Sequence, residues 1–338
     1  MRGSKKYLWL VIGLIGCSAG GAKAPTGEDG PSPAGTTSPG VLAGMPSASA
    51  SNTTAIDLTS GVSTSSNGAV PDLGSEEACD GMDGNKNGII DDVDKGKDGL
   101  CDCLNIGFIG DIASDAGTMT AAFQNWLEAR SDVPVTRLSA TAEITEQSLK
   151  PLQVLIVGNM TARITQNSSA YSPAELLVLK KWVTERGGGL MTLGGFTGNE
   201  THMLPTVQLL APFDLSYDYL GRGPGILGEG APPVVITGIT APQHPTVAGV
   251  KALGVYYGYP VVGDGEVILS ERGFNLAMAK QAGKGRVFLF ADEWITQDTL
   301  WTPGALPTQL DVAGFWLNVI NWLSPADECK VTIPAILK

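Results

Sequence analysis

Between residues 104 and 325, short runs of consecutive apolar residues alternate with stretches whose apolar positions recur every three or four residues. An unbroken apolar run of four to six residues is the pattern of a strand covered on both faces, and the wider spacing is that of a helix with one buried face. Strands are predicted at Asn105 to Gly110, Val135 to Leu138, Gln153 to Gly158 and Gly189 to Gly194. Helices are predicted from Thr118 to Arg130, with Met119, Ala122, Phe123, Trp126 and Leu127 on one face, and over a short stretch opening at Thr141. Ser172, Pro173 and Glu175 supply an N-cap, a first-turn proline and the N3 acid of another helix, which stops at Gly187-Gly188-Gly189. Further strands follow at Val234 to Thr237, Glu266 to Leu269, Asn275 to Ala279 and Arg286 to Ala291. The turn Gly283-Lys284-Gly285 makes the last two a hairpin, and Asp311 to Leu323 closes the region as a helix. Strand and helix alternating at this spacing predict an α/β fold: a mostly parallel sheet with helices on both faces.

The N-terminal residues follow other rules. Arg2, Lys5 and Lys6 precede an apolar run from Tyr7 to Ile15, too short to span a bilayer and of the length of an export signal. Residues 1–16 are therefore read as a signal peptide. Leu14-Ile15-Gly16-Cys17 resembles the lipobox of bacterial lipoproteins, which implies that Cys17 is acylated and anchors the chain to a membrane. Each buried methylene contributes about 0.8 kcal/mol, so several acyl chains hold where one does not. Ser18 in place of Asp points to the outer membrane of a Gram-negative cell, on either face. Residues 17–75 are rich in Gly, Ser, Thr, Pro and Ala and carry no periodicity, which predicts a disordered linker with a reach of roughly 40 Å.

Composition changes again at residues 76–103. Counted from Asp83, oxygen side chains fall at positions 1, 3, 5, 9 and 12 (Asp83, Asn85, Asn87, Asp91 and Asp94), with Gly88 at position 6 and the Ile89 carbonyl at position 7. A hard cation takes six to eight oxygens, and a glycine permits the sharp turn between them, so calcium is the expected structural cofactor. The segment resembles dockerin-like and thrombospondin-like loops and the short Asp/Asn/Gly modules of bacterial surface lipoproteins. Without flanking amphipathic helices, an affinity of about 10⁻⁴ to 10⁻³ M is expected, which suits a clip better than a sensor.

Four cysteines remain after Cys17: Cys79, Cys101, Cys103 and Cys329. An even number in an exported chain predicts two disulfides. A Cys101–Cys103 ring is strained, leaving Cys79–Cys101 with Cys103–Cys329, which closes the acidic loop, or Cys79–Cys103 with Cys101–Cys329. The short and long loops would contribute about 3 and about 5 kcal/mol. Either pairing ties the tail, residues 326–338, to the start of the α/β domain. Zinc is the weaker reading, because no CxxC pair and no neighbouring His are present.

Within residues 104–325 the order of motifs resembles the class I glutamine-amidotransferase-like superfamily: Leu-Ile-Val-Gly, the Ser-Pro-capped helix, GGGLMTLGG, HPTVAGV, GKGRVFLFADEW and FWLNVINWL. The resemblance implies a flavodoxin-like or amidotransferase-like arrangement. Members with chemistry carry a nucleophilic Cys on the elbow after the strand matching Gly189 to Leu193, where a helix N-terminus lowers its pKa. Here the elbow reads Leu193-Gly194-Gly195-Phe196-Thr197, and no cysteine lies between residues 104 and 328. Thiol chemistry is absent. The remaining acid–base candidates are His244, before Pro245, and Asp292 or Glu293, at a strand end where open α/β sheets place ligands. His202 follows the elbow, Gly221 to Gly230 forms a glycine-rich loop without a dinucleotide fingerprint, and five tyrosines (Tyr217, Tyr219, Tyr256, Tyr257, Tyr259) cluster.

Composition then narrows the partners. A net charge of -12 supplies no basic stripe for phosphate, which argues against nucleic acid. Two histidines in 338 residues argue against a multi-His metal enzyme. Two functional classes remain in front. One is a non-catalytic binding or scaffold lipoprotein with a surface protein or polysaccharide as partner. The other is a surface hydrolase acting on a glycan or small carbonyl compound through His244 with Asp292 or Glu293.

Overall fold

The structure, a computed structural model, describes residues 93–94, 102–111, 119–130, 134–167, 171–195, 199–220 and 233–324. All fall in the compact unit Asn67–Lys338. The signal, Cys17 and the linker lie outside these residues, as do Cys79, Cys101, Cys329, the Gly221–Gly230 loop and every expected calcium ligand except Asp94. Cys103 is disulfide-bonded. Next to it, the Asp102 N–H donates to the Val93 carbonyl at 2.7 Å.

The first half of the domain runs β1 (Ile106–Ile109), α1 (Ala121–Glu128), β2 (Thr136–Leu138), α2 (Glu146–Leu149), β3 (Val154–Val157), α3 (Thr161–Asn167), α4 (Pro173–Thr184) and β4 (Gly189–Leu193). The second half runs α5 (Leu204–Leu210), β5 (Leu215–Tyr217), β6 (Val234–Ile236), β7 (Leu253–Val255), β8 (Val261–Gly263), β9 (Glu266–Glu271), β10 (Phe274–Ala282), β11 (Gly285–Phe290), α6 (Asp298–Trp301) and α7 (Val312–Leu323). Among the described residues the main sheet has the order β2-β1-β3-β4-β11-β10-β9. The first five strands are mutually parallel, and β10 runs antiparallel to both of its neighbours. This is the mixed α/β architecture that the apolar pattern predicts; the expected hairpin is β10–β11, and β9 forms the margin beyond it. Two small antiparallel pairs, β5–β8 and β6–β7, lie apart from it.

The apolar runs are unbroken because both faces are covered. Along each central strand, successive side chains enter opposite cores. Phe108, Ile156, Met191, Phe288 and Phe290 join Phe123, Leu127, Phe315 and Trp316 from α1 and α7. Ile109, Leu155, Val157, Leu190, Val287 and Leu289 join Leu149, Leu179, Trp182 and Leu209 from α2, α4 and α5. Burying any of these large side chains stabilises the fold by about 1.5–3 kcal/mol before ordering costs.

Some helix boundaries follow the sequence expectation and others differ from it. α4 begins as predicted: the Ser172 hydroxyl accepts from the Glu175 N–H and the Glu175 carboxylate accepts from the Ser172 N–H. It ends at Thr184, the chain turns away at Gly187, whose φ of +92° favours glycine, and the following strand passes so close to α7 that a side chain on Gly189 would meet the Leu323 carbonyl. α1 starts later than predicted, leaving Met119 outside the helix and 41% exposed. α2 starts at Glu146 rather than near Thr141, because the Thr145–Ser148 capping box, not Thr141, meets the free N–H groups. α3 has no counterpart in the sequence expectation; its apolar positions are too sparse to show a period.

Two substitutions check this account by urea denaturation. Ser172→Ala should cost about 1 kcal/mol through the lost cap. Phe315→Ala, emptying the centre of one core, should cost about 3–5 kcal/mol with an unchanged denaturant slope.

Candidate functional site

The chain leaves β1, forms β2 on one side, and then crosses to place β3 on the other side of β1. That reversal separates the loops that leave β1 and β3, and open α/β sheets bind ligands at such a switch point, beyond the carboxyl ends of the strands. Four segments meet there: Gly110-Asp111 after β1, Gly158-Asn159 after β3, Gly194-Gly195 after β4 and Asp292-Glu293 after β11. Backbone bonds join them in pairs. The Asp111 N–H donates to the Asn159 carbonyl (2.9 Å) and the Asn159 N–H to the Asp111 carbonyl (2.8 Å). On the other side the Glu293 N–H donates to the Gly194 carbonyl at 2.7 Å, while the Gly194 N–H donates to that of Phe290 at 2.8 Å.

Asp292 and Glu293 are both completely buried, yet they do different things. Asp292 is a backbone anchor. Its Oδ2 accepts the N–H groups of Tyr256 (2.6 Å) and Tyr257 (3.2 Å), and its Oδ1 accepts that of Trp294 (3.0 Å). Burial pushes its pKa up to about 7, with the three N–H donors pulling the other way.

Glu293 has a single polar partner, the Asn159 amide, whose Nδ2 donates to Oε1 at 3.1 Å. Its Oε2 is buried and has no hydrogen-bond partner among the described residues. Burial pushes this carboxyl up to about 8; the Asn159 bond opposes the shift, and the charges of Asp292 and Asp111 add to it. These effects favour the neutral carboxylic acid of Glu293 over its carboxylate. Its position explains the glycine on the elbow. A Cβ on Gly195 would lie 2.9 Å from Glu293 Cδ, 2.9 Å from Oε2 and 3.0 Å from Oε1, closer than real Cβ contacts come.

His244 is elsewhere. It caps a short 3-10 turn, Pro245–Val247, with Nδ1 2.8 Å from the Thr246 hydroxyl, and its ring stands edge-on to Trp322 at 5.1 Å. Its charged neighbours are Glu266 and Arg286, at the starts of β9 and β11, and burial keeps its pKa below the ordinary value. Asp292 and Glu293 follow the far end of β11. At about 3.3 Å per residue, the two ends are roughly 20 Å apart. The expected set of His244 with Asp292 or Glu293 is therefore not assembled, because strand β11 lies between its members. His202 sits in a 3-10 turn after the elbow, with its N–H bonded to the Asn199 carbonyl.

Of the five tyrosines, Tyr217 and Tyr259 are sheet-packing residues. The Tyr217 hydroxyl lies 2.8 Å from that of Thr192 and reaches the Thr192 and Phe290 carbonyls, and Tyr259 is wholly buried. Tyr256 and Tyr257 pack against Trp294, with ring centroids 5.7 and 5.5 Å apart. Asp111 and Asn159 are not among the residues that the sequence singles out. Their signal is nonetheless there: Ile-Gly-Asp and Val-Gly-Asn each end an apolar strand with glycine and a polar residue. Of the expected calcium ligands only Asp94 can be placed, half-buried next to Val93. Among the described residues no group of three His, Cys, Asp or Glu side chains is arranged to hold a metal ion.

No family model matches this chain, and no curated protein does. Solved structures similar to it include the cytoplasmic protein STM3548 from Salmonella typhimurium (17% identity, 66% of this chain and 100% of that one, TM-score 0.48). A GMP synthase subunit from Thermoplasma acidophilum is similar at 9% identity, over 65% of this chain and 94% of that one, with a TM-score of 0.38. A ThuA-like protein from Bacteroides uniformis is similar at 14% identity, over 65% and 91%, with a TM-score of 0.36.

The buried acids set the sign of a pH dependence. A carboxyl raised from 4.5 to about 8 keeps in the folded state a proton that the unfolded chain releases. Its contribution is complete at low pH and is lost as pH climbs from about 4.5 through 8, and Asp292 acts in the same direction up to about 7. The melting temperature should fall between pH 5 and 8.5, and Glu293→Gln should flatten that slope; an unchanged slope in calorimetry would contradict the assignment. Gly195→Ala should cost about 1–3 kcal/mol through overpacking, read by the same scans.

Proposed function

We propose that this chain is an exported lipoprotein, acylated at Cys17, whose α/β domain binds a surface protein or polysaccharide and performs no amidotransferase-type chemistry. The observation that carries the reading is that no cysteine lies between residues 104 and 328, while the Glu293 carboxyl packs against Gly195 after β4. Support for export and anchoring comes from the order of Arg2, Lys5 and Lys6, the apolar run and Leu14-Ile15-Gly16-Cys17. The linker through residue 75 would then carry the domain clear of an outer membrane. A calcium ion held by Asp83, Asn85, Asn87, Ile89, Asp91 and Asp94, with disulfides among Cys79, Cys101, Cys103 and Cys329, would stiffen the junction between linker and domain.

The hydrolase reading has less behind it, since His244 and the Asp292-Glu293 pair stand at opposite ends of β11. Its acid and its base do not face a common substrate.

Growth of cells producing the full chain with an alkyne-tagged fatty acid tests the anchor. Label is expected on the wild type and not on Cys17→Ala, and an unlabelled wild type refutes it. Capture on surface-polysaccharide and envelope-protein arrays tests the domain: binding should survive His244→Ala with no turnover, whereas turnover abolished by that substitution would restore the enzyme. Calorimetry with calcium should show one site, lost in Asp83→Ala, that raises the melting temperature.

A further inference from the structure

We infer that the Glu293 carboxyl is a proton-controlled latch: neutral, it lies over the bare Cα of Gly195 and holds Gly194-Gly195 against Asn159; ionised, it leaves that position and opens the switch-point end of the sheet. The inference goes beyond the binding reading and does not depend on what the domain binds. It rests on packing. The carboxyl bridges two strand ends that share no other side-chain contact among the described hydrogen bonds, touching Asn159 beyond β3 and Gly195 beyond β4. Among the described residues, one of its oxygens is bonded once and the other is buried without a partner.

A neutral acid tolerates that environment; a carboxylate does not. A buried charge needs several donors, and Glu293 has one. Its chain neighbour Asp292 marks the contrast. It is equally buried, but three N–H groups converge on it, so it can ionise in place. The groups facing Glu293 make its ionisation harder still. Asp111 approaches from the end of β1 and Asp292 from its own segment, both with the wrong sign, while β3 offers only the Asn159 amide and β4 only glycine. No cation is among the charges that act on it. Relief comes by moving the carboxyl toward water, and the movement strips the elbow of the group that packs on it. The Glu293 N–H bond to Gly194 and the Gly194 N–H bond to Phe290 then lose their shelter.

Amide exchange on the full chain between pH 6 and 9.5, corrected for the intrinsic pH dependence of exchange, reads the latch at the Gly194 and Glu293 amides. Wild-type protection there should fall about tenfold or more as Glu293 ionises, beyond the loss that falling global stability imposes on amides in the middle of β3. Glu293→Gln, neutral at every pH, should hold its protection across the range. Asp111→Asn removes a like charge from an exposed side chain and should move the wild-type fall to lower pH. That second variant carries the test if Glu293→Gln does not fold. An equal fall in Glu293→Gln, which would place the transition on Asp292, overturns the latch. So does an Asp111→Asn profile that superimposes on the wild type.

Discussion

β11 is enclosed on every side. It pairs in parallel with β4 over five residues and antiparallel with β10 over six, and both of its faces are packed by aromatic and aliphatic side chains. A strand so placed cannot deliver its next residues to solvent, so Ala291-Asp292-Glu293 continues into the interior. The two carboxyls are buried for that reason, and the surrounding backbone has to accommodate them. Around Asp292 it does so with three N–H groups drawn from two loops. Around Glu293 it does so by omitting a side chain at Gly195.

This arrangement leaves no room for a side chain at residue 195 after β4, because the Glu293 carboxyl at the neighbouring strand end occupies that space. What remains at the switch point is Asp111, exposed, beside the Asn159 amide. That is a surface that can recognise a ligand by hydrogen bonds.

The parts of the fold that are legible in the sequence are those governed by neighbours along the chain. Four central strands, the hairpin, α4 with its Ser172–Glu175 box and the closing helix all follow from residues within a few positions of one another. The start of α1 does not. Thr120 makes no side-chain cap, and the N–H of Ala122 is met by the carboxylate of Asp298 at 2.8 Å, from 176 residues away. The candidate site divides in the same way. Asp292 and Glu293 stand out because they end a conspicuous strand. His244 joins them on the strength of its chemistry, although only the direction of β11 decides which end it occupies. Asn159 and Asp111 gain their meaning from the order of strands across the sheet, which alternation of strand and helix does not specify.

The central place of β11 has a consequence for how the chain becomes a protein. Its parallel partner β4 is made about a hundred residues earlier, and until β11 arrives the edge of β4 stands open, with its N–H and C=O groups unpaired and its apolar side chains uncovered on one flank. A half-made sheet of that kind is adhesive, and the chain must be carried through it, by a chaperone or by speed, wherever it folds. The final seal on the molecule is thus a piece of sequence that the ribosome delivers late, so that truncation a short way before Gly285 would leave more than a shorter protein. It would leave one with its most aggregation-prone edge permanently exposed.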